Sequence, residues 1–504
     1  MNKKIKNIVL VEPRPADYHV FARYPLPRMG VILLGTILKN AGYNVKVFVE
    51  TISNLDFDAL FEADLVGISS ITPTVTRCYE LAKLLRIEDI PVVMGGPHVS
   101  FMPDEALKSC DYVMKGEADE VILDLVKAIE TGDGLDKIPG LSFRQNGIVK
   151  HNPPAPLCRD LNKLPTPDFS IIHGFKSLPI YPVITSRGCP YDCNFCAVTE
   201  MFGHRYRFRN AELVIEDIKS INKDWIFFYD DNFTASPSRT KQLLELMLKN
   251  NLKPHWTAQV RTDVARDNEL LDLMQKTNCY GCYIGIESIN PETLKEYNKK
   301  QTIEDIELCV RKLHERNIKI HGMFVLGSDE DSVEVARETA NFAKKYNIDT
   351  VQFMILTPLP GTKLYDKLRK EGRILTTAWN LYDGHHVVFK PKGMTPFQLQ
   401  WETVKAMKSF YSYSQVLKSL IGFDLYTSIL RLYAHRLIKR WSRKNKSYFE
   451  LTKNFTIEHG RRLERAASAV AADLWNRLSK FYKKNRTHLL KEGAMSTNIP
   501  HRAG

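Results

Sequence analysis

The sequence predicts an α/β protein in three parts: an N-terminal doubly wound parallel sheet, a central partial (β/α)6 barrel and a C-terminal helical region. Three observations lead there. The chain has 504 residues, more than the roughly 250–300 over which a single core keeps growing. Two series of short apolar runs alternate with helical patterns, and a proline-rich stretch separates them. Strand signals then fade after about residue 395 and helical periodicity takes over. Hydrophobic residues at 44% and charged residues at 26% are ordinary for a globular protein and exclude a chain that is disordered throughout.

Residues 1–150 form the first part. NIVLVE, NVKVFV, LVGISSI, PVVMGG and YVMKG read as strands, with MGVILLGTILKNAG, TRCYELAKLLRIED and DEALKS between them and ADEVILDLVKAIETG following. Strands this apolar are covered on both faces, which implies a parallel sheet whose ligands bind at the carboxyl ends of its strands. The stretch 151–177, opening HNPPAPLCRDLNKLPTPDF, reads as a linker. Residues 178–395 hold YPVITS, DWIFFYDD, HWTAQV, CYIGIES, KIHGMFVLG and TVQFMIL, each followed by a helical stretch. Six such repeats fall two short of a closed barrel and leave a wide lateral opening.

Residues 396–504 are helical and basic. From Glu402 onward there are 21 Lys and Arg against 7 Asp and Glu, so that of the chain's net +13 the residues before Glu402 carry about −1. QVLKSLIGFDLYTSILRLYAHRLIKRW is amphipathic. It reads as a cap on the barrel with a solvated basic face, or as an interfacial helix on anionic lipid. A start of MNKKIKNIVLVE without a cleavage site, and no apolar run long enough to span a bilayer, predict a cytoplasmic protein, at most peripheral to a membrane, with its nine cysteines reduced.

Three of those cysteines lie together. RGCPYDCNFC, residues 187–196, spaces Cys189, Cys193 and Cys196 as C-x3-C-x2-C. Structural zinc takes four protein ligands, usually two pairs separated by a longer loop, and this cluster offers three. Cys279 and Cys282 form a separate C-x2-C at the start of a strand and read as core thiols rather than an auxiliary metal site. Three thiolates in one loop suit a 4Fe-4S cluster with one iron left open, and an open coordination position marks a reaction site.

C-x3-C-x2-C with the aromatic Phe195 before its last cysteine, directly after the first strand of a partial barrel, resembles the radical S-adenosylmethionine enzymes. The resemblance implies that the methionyl amine and carboxylate of S-adenosyl-L-methionine chelate the fourth iron. Reductive cleavage then gives a 5′-deoxyadenosyl radical that abstracts hydrogen. It also implies an external reductant of the flavodoxin or ferredoxin type. In FFYDDNFT, Asp230 and Asp231 match the position near the methionyl amine, with a helix N-cap as their structural alternative. Gln259 and Arg261 in TAQVRTD, and Glu287 in GIES, match cofactor contacts on the third and fourth strands, with a buried polar network as the alternative. MFVLG, with Leu326, matches the fifth-strand segment that flanks adenine through backbone groups.

GISSITPT, VVMGGPH and YVMKGEADE follow the third, fourth and fifth strands of the first part. They resemble the Rossmann-like cobalamin-binding domain that precedes the barrel in one class of these enzymes. Gly95 and Gly96 then give close backbone approach to the nucleotide tail. Ser70, Thr72 and Thr74 become its hydrogen-bond donors, and His98 a neighbour rather than a ligand. The D-x-H-x-x-G pattern of many cobalamin folds is not kept: Asp17 and His19 are two apart, and no Gly follows in place. The lower cobalt ligand is therefore unassigned. PLPGTKLYDKL and WNLYDGHHVVF resemble segments closing the substrate side, with His385 and His386 read as exposed loop residues.

These readings predict an enzyme that methylates an unactivated carbon. The alternatives are a cobalamin-linked radical cyclase or oxidoreductase without methyl transfer, and a non-catalytic cobalamin or cluster sensor. The expected substrate is a small molecule or lipid. Basic charge without an RNA-binding module argues against nucleic acid.

Overall fold

A computed structural model describes residues 4–15 and 26–466. The first sheet holds β1 (Asn7–Glu12), β2 (Asn44–Val49), β3 (Leu65–Ser69), β4 (Val92–Gly95), β5 (Tyr112–Met114), β6 (Leu141–Gln145) and β7 (Ile148–His151). Their spatial order is β2-β1-β3-β4-β5-β6-β7. The first five are parallel, as the apolar runs predict, and both faces of β1 are buried, Ile8 and Leu10 in one core and Val9 and Val11 in another. Strand order reverses between β1 and β3, so a ligand crevice opens at their carboxyl ends. The loop leaving β1, with Asp17 and His19, lies outside the described residues.

The antiparallel pair β6–β7 is an addition to the expected sheet. Asn146 and Gly147, at φ 51° and 81°, make the two-residue turn that matches strand twist. That Asn-Gly signal stood in the sequence, and β7 ends at His151, inside the expected linker.

The rest of 151–177 is built in. Leu161 and Leu164 are buried, and His173 N donates to Val47 O of β2 at 2.8 Å. It is a packed strap, and its prolines fix a path over the surface instead of spacing two mobile bodies.

The second sheet comprises β8 (Tyr181–Val183), a minor antiparallel pair β9 (Ser186–Arg187) and β10 (Arg207–Phe208) standing beside it, then β11 (Trp225–Phe228), β12 (His255–Val260), β13 (Cys279–Glu287), β14 (Lys319–Leu326) and β15 (Thr350–Ile355). β8, β11, β12, β13, β14 and β15 are parallel neighbours in chain order, the six-stranded partial barrel that was predicted. Their carboxyl ends share one rim.

Helix Pro396–Phe410 begins with a Thr395–Gln398 capping box. It leads to Tyr411, whose hydroxyl donates to Val351 O at 2.6 Å and accepts from Val351 N at 3.0 Å, covering the edge of β15. The amphipathic stretch expected as one helix is two, Tyr413–Ile421 and Leu425–Lys444. Phe423 at φ 57° turns the chain, and Asp424 caps the second helix through Thr427 N. Among the described residues no helix is long and apolar enough to cross a membrane. The basic residues beyond 466 lie outside the described residues.

Candidate active site at the barrel rim

Cys189, Cys193 and Cys196 stand in the loop after β9, half-buried and with free thiols. The loop is fastened from several sides. Asn194 Nδ2 donates to Glu296 O at 2.6 Å, Leu364 N to Asn194 O at 3.0 Å, and Asn298 Nδ2 to Asp192 O at 2.8 Å. Phe195 packs edge-on against buried Tyr297, centroids 5.0 Å apart, so its ring anchors the loop to the helix below. Burial raises the Cys189 thiol and pushes Cys196 up to about 12. A thiolate is stable there only beside a strong positive charge such as an iron centre supplies. Three thiols in one short loop suit a cubane, whose irons each take one thiolate. The donor set fits the cluster.

The adjacent carboxylates part company. Asp230, 1% exposed, takes hydrogen bonds from Thr185 N at 2.8 Å, Ser186 N at 2.9 Å and the Thr185 hydroxyl. Arg239 closes the shell by donating to Thr185 Oγ1 at 2.7 Å. The expectation that Asp230 faces the methionyl amine, or caps a helix, is corrected: its oxygens are spent pinning the backbone that leads into the cysteine loop. Asp231 is the carboxylate beside the cysteines. Burial, then the Asp230 charge, raise it to about 6, and the Gly188 N–H offsets only part of that. A buried carboxylate so poorly compensated suits a ligand ammonium.

Arg261, at the end of β12, lies with its guanidinium 3.7 Å from the centroid of the Tyr191 ring, inside the cysteine motif. It donates to Lys299 O at 2.5 Å, while its buried Nε makes no hydrogen bond. Tyr191 in turn donates to Asp263 at 2.5 Å. Gln259, one residue before the end of β12, is half-buried on the rim.

Glu287 ends β13 at φ 63° and is 7% exposed. Lys299 Nζ donates to its Oε1 at 2.7 Å. A Cβ at Gly285 would sit 2.5 Å from that oxygen, so the glycine makes room for the pair. Gln301 completes the group, donating to Ile286 O at 2.7 Å and accepting from Thr262 Oγ1 at 3.1 Å. The rim is thus partly the buried network held open as the alternative. Lys299, Gln301 and Tyr191 escaped the sequence reading because no spacing joins them to their partners. Leu326 is 1% exposed and its carbonyl accepts from Leu356 N at 2.8 Å. That bond ties the segment expected to flank adenine into the sheet and leaves the carbonyl a second lone pair.

On the N-terminal side, Ser70 Oγ donates to Gly95 O at 2.9 Å, Thr72 Oγ1 is 3.2 Å from His98 Nδ1, and Thr74 Oγ1 donates to Ile71 O at 3.1 Å. These hydroxyls, expected to serve a nucleotide tail, are buried, Ser70 and Thr72 paired across to the end of β4 and the loop after it, and Thr74 to its own turn. Gly96, at φ 97°, is required by Ser70, whose carbonyl oxygen a Cβ would approach to 2.3 Å. Gly95 alone keeps its Cα face open, its nearest neighbour 3.9 Å away. It fits close approach by a bulky group at the crevice. His98 is buried under Trp379, centroids 4.9 Å apart. His385 and His386 are 4% and 2% exposed, against the expected exposed loop. His386 bonds Asp383 and packs on Trp441 and Tyr448, which the C-terminal helices bring over it.

The two halves are joined at the cysteine motif. Arg187, its first residue, forks onto Asp119 at 2.6 and 3.0 Å, and Arg207 forks onto Glu117 at 2.7 Å twice. Glu117 and Asp119 lie in the GEADE loop after β5, which the sequence reading assigned to ligand binding alone. Both pairs are largely buried, and the bidentate geometry is the strong form of such a contact.

A three-cysteine loop on the rim of a (β/α)6 sheet, fastened to a doubly wound domain with its crevice on the same side, defines a two-cofactor enzyme class. Residues 183–339 match the Radical SAM superfamily and residues 20–126 the B12 binding domain. An uncharacterized methyltransferase of Pyrococcus horikoshii is 32% identical over 78% of this chain and 89% of its own length. The bacteriochlorophyllide d C-12(1)-methyltransferase of Chlorobaculum tepidum is 28% identical, covering 72% and 78%. The anaerobic magnesium-protoporphyrin IX monomethyl ester cyclase of Cereibacter sphaeroides is 28% identical, covering 76% and 67%. The solved radical S-adenosylmethionine methyltransferase TsrM of Kitasatospora setae shares the fold, with TM-score 0.66 at 20% identity over 87% of this chain and 99% of that one. The chain belongs to the radical SAM superfamily, among the members that carry a B12 binding domain ahead of the barrel. Its cofactors are a 4Fe-4S cluster, S-adenosylmethionine and cobalamin.

Proposed function

We propose that the protein methylates an unactivated carbon of a large, mainly apolar small molecule. When bound, the cluster with S-adenosylmethionine supplies a hydrogen-abstracting radical, and cobalamin supplies a methyl carrier. The chain's own part is to place both on one substrate carbon. Cys189, Cys193 and Cys196 hold the cluster, Asp231 faces the methionyl amine, and the open donors of Arg261 and Gln259 take the carboxylate end. Gly95 lets cobalamin approach the backbone.

The observation that carries the reading is the seam of Arg187 with Asp119 and Arg207 with Glu117. It holds the cysteine loop and the B12-domain loop as one unit, and methyl transfer to a radical carbon needs that fixed separation. One face of the barrel sheet presents half-exposed Phe227, Tyr229, Tyr283, Met323 and Met354. Such a lining suits a flat apolar substrate and keeps water from the radical. Electrons come from an external flavodoxin- or ferredoxin-type donor. Peripheral contact with an anionic membrane through the C-terminal region belongs to the same reading.

A second reading, ring closure or oxidation without methyl transfer, is favoured by the likeness to the cyclase. Turnover with methyl-labelled S-adenosylmethionine separates the two: label enters the product of a methyltransferase, and unlabelled product would establish the second. Anaerobically prepared protein is expected to contain about four irons and one cobalt per chain. Cys193→Ala should reduce iron to background and stop release of 5′-deoxyadenosine, and retained cleavage would overturn the site.

A further inference from the structure

We propose that the tip of the C-terminal helical hairpin, residues 413–433, is a docking surface that inserts into an anionic membrane. The inference gives the peripheral contact named above a definite element, and rests on that reading. Of the fifteen large apolar side chains exposed among the described residues, nine fall in these 21 positions, including Phe423 at 97%, Ile421 at 71% and Leu425 at 63%. Single exposed apolar residues are ordinary, but a contiguous group of this size marks a contact surface.

The exposure is not that of a frayed end. Asp424 at the turn pairs with Lys319 Nζ at 2.5 Å, and Arg431 donates to Asp349 O at 3.1 Å and to Ser419 Oγ at 2.8 Å. Tyr426 meets Tyr280 edge-on, centroids 5.8 Å apart. Thr427, Ser428, Arg431, Ala434 and Ile438 bury the inner face of the second helix, while Leu425, Tyr426, Ile429 and Tyr433 are exposed on the outer one.

Charge decides the occupant. At helical spacing the outer stripe runs on from Ile429 and Tyr433 into exposed Arg436, Arg440 and Arg443, with Lys439 alongside. Asp424 is the one acidic residue between 403 and 449, and it is held by Lys319. An apolar tip followed by a basic band matches a bilayer, where the tip enters the acyl boundary and the band lies among anionic headgroups. A second copy of the chain would set one basic band against another, and nucleic acid makes no use of the exposed Ile, Leu and Phe. Lys319, Tyr280 and Asp349 lie at the amino ends of the barrel strands. The membrane contact is therefore at the opposite end from the cysteine loop, and leaves the cofactor rim facing the aqueous phase, where the electron donor is.

The test is flotation of full-length protein with vesicles of phosphatidylcholine, alone or with roughly one third phosphatidylglycerol. The parent should float with the anionic vesicles. Ile421→Glu/Phe423→Glu/Leu425→Glu should lower the floated fraction at least about tenfold. Arg436→Glu/Arg440→Glu/Arg443→Glu should remove the dependence on phosphatidylglycerol. Circular dichroism and melting at parent values would show that both variants fold. Flotation reads no chemistry, so failure of the methylation reading would leave it standing. The proposal is overturned if the parent stays in solution, if the tip variant floats like the parent, or if light scattering finds a parent dimer that the tip substitutions dissolve.

Discussion

Asp230 and Asp231 are neighbours in the chain with opposite surroundings, and each makes a prediction. The Asp230 carboxylate satisfies two backbone amides and a hydroxyl in a fully buried site. Asp230→Asn sets an amide NH2 against those donors and should cost about 2–3 kcal/mol in urea unfolding. Asp231→Asn removes a buried charge that its surroundings already disfavour. It should not destabilise the protein, and above pH 6 should stabilise it by up to roughly 3 kcal/mol, while lowering 5′-deoxyadenosine release. Equal destabilisation by both would contradict this division. His321 adds a pH dependence. Burial lowers its pKa from 6.5 to about 4, a hydrogen bond with Gln352 opposing only in part. Below pH 6.5 the unfolded chain takes up a proton that the folded chain refuses, so this contribution is full above pH 6.5 and declines toward pH 4. A depression of about two and a half pH units corresponds to roughly 3 kcal/mol. His321→Gln should flatten that limb in denaturant midpoints measured against pH.

Among the elements, the end of β13 departs most from a regular strand. Glu287 has left-handed backbone, a conformation that costs about 1–3 kcal/mol, and the register with β14 shifts between Gly285 and Glu287. The buried pair with Lys299 at 2.7 Å holds it there. Lys299→Met strands the carboxylate and should destabilise by about 3–5 kcal/mol. Glu287→Gln added to it should recover much of the loss, and no recovery in the double variant would refute the pairing account. Gly285→Ala should act through the same pair, because its Cβ falls on Glu287 Oε1.

For the whole molecule, the two sheets form one body through two ion pairs, a strap, and the packing of Tyr365, Trp379, Tyr382 and Val388 into the N-terminal core. Glu117→Gln/Asp119→Asn leaves Arg187 and Arg207 buried without counter-charges. A cost of about 3–5 kcal/mol is expected for such a loss. It should appear as faster proteolysis within residues 151–177 and a melting transition that splits in two. One unchanged cooperative transition would show that the seam is not what joins the halves.

Periodicity was enough to read both parallel sheets, their order of domains and the helical end, because apolar runs with a period of two or 3.6 report burial locally. The three cysteines were legible for the same reason: one short loop contains them all. What folding decided was which polar groups remain available. Asp230, Ser70 and Thr72 carry suitable atoms at suitable spacings, yet partners 45, 25 and 26 positions away take them. Lys299, Arg187 and Glu117 gained their roles from partners 12, 68 and 90 positions away. A hydrogen-bonding group has a fixed capacity, and only the three-dimensional neighbourhood settles whether a ligand or the protein takes it.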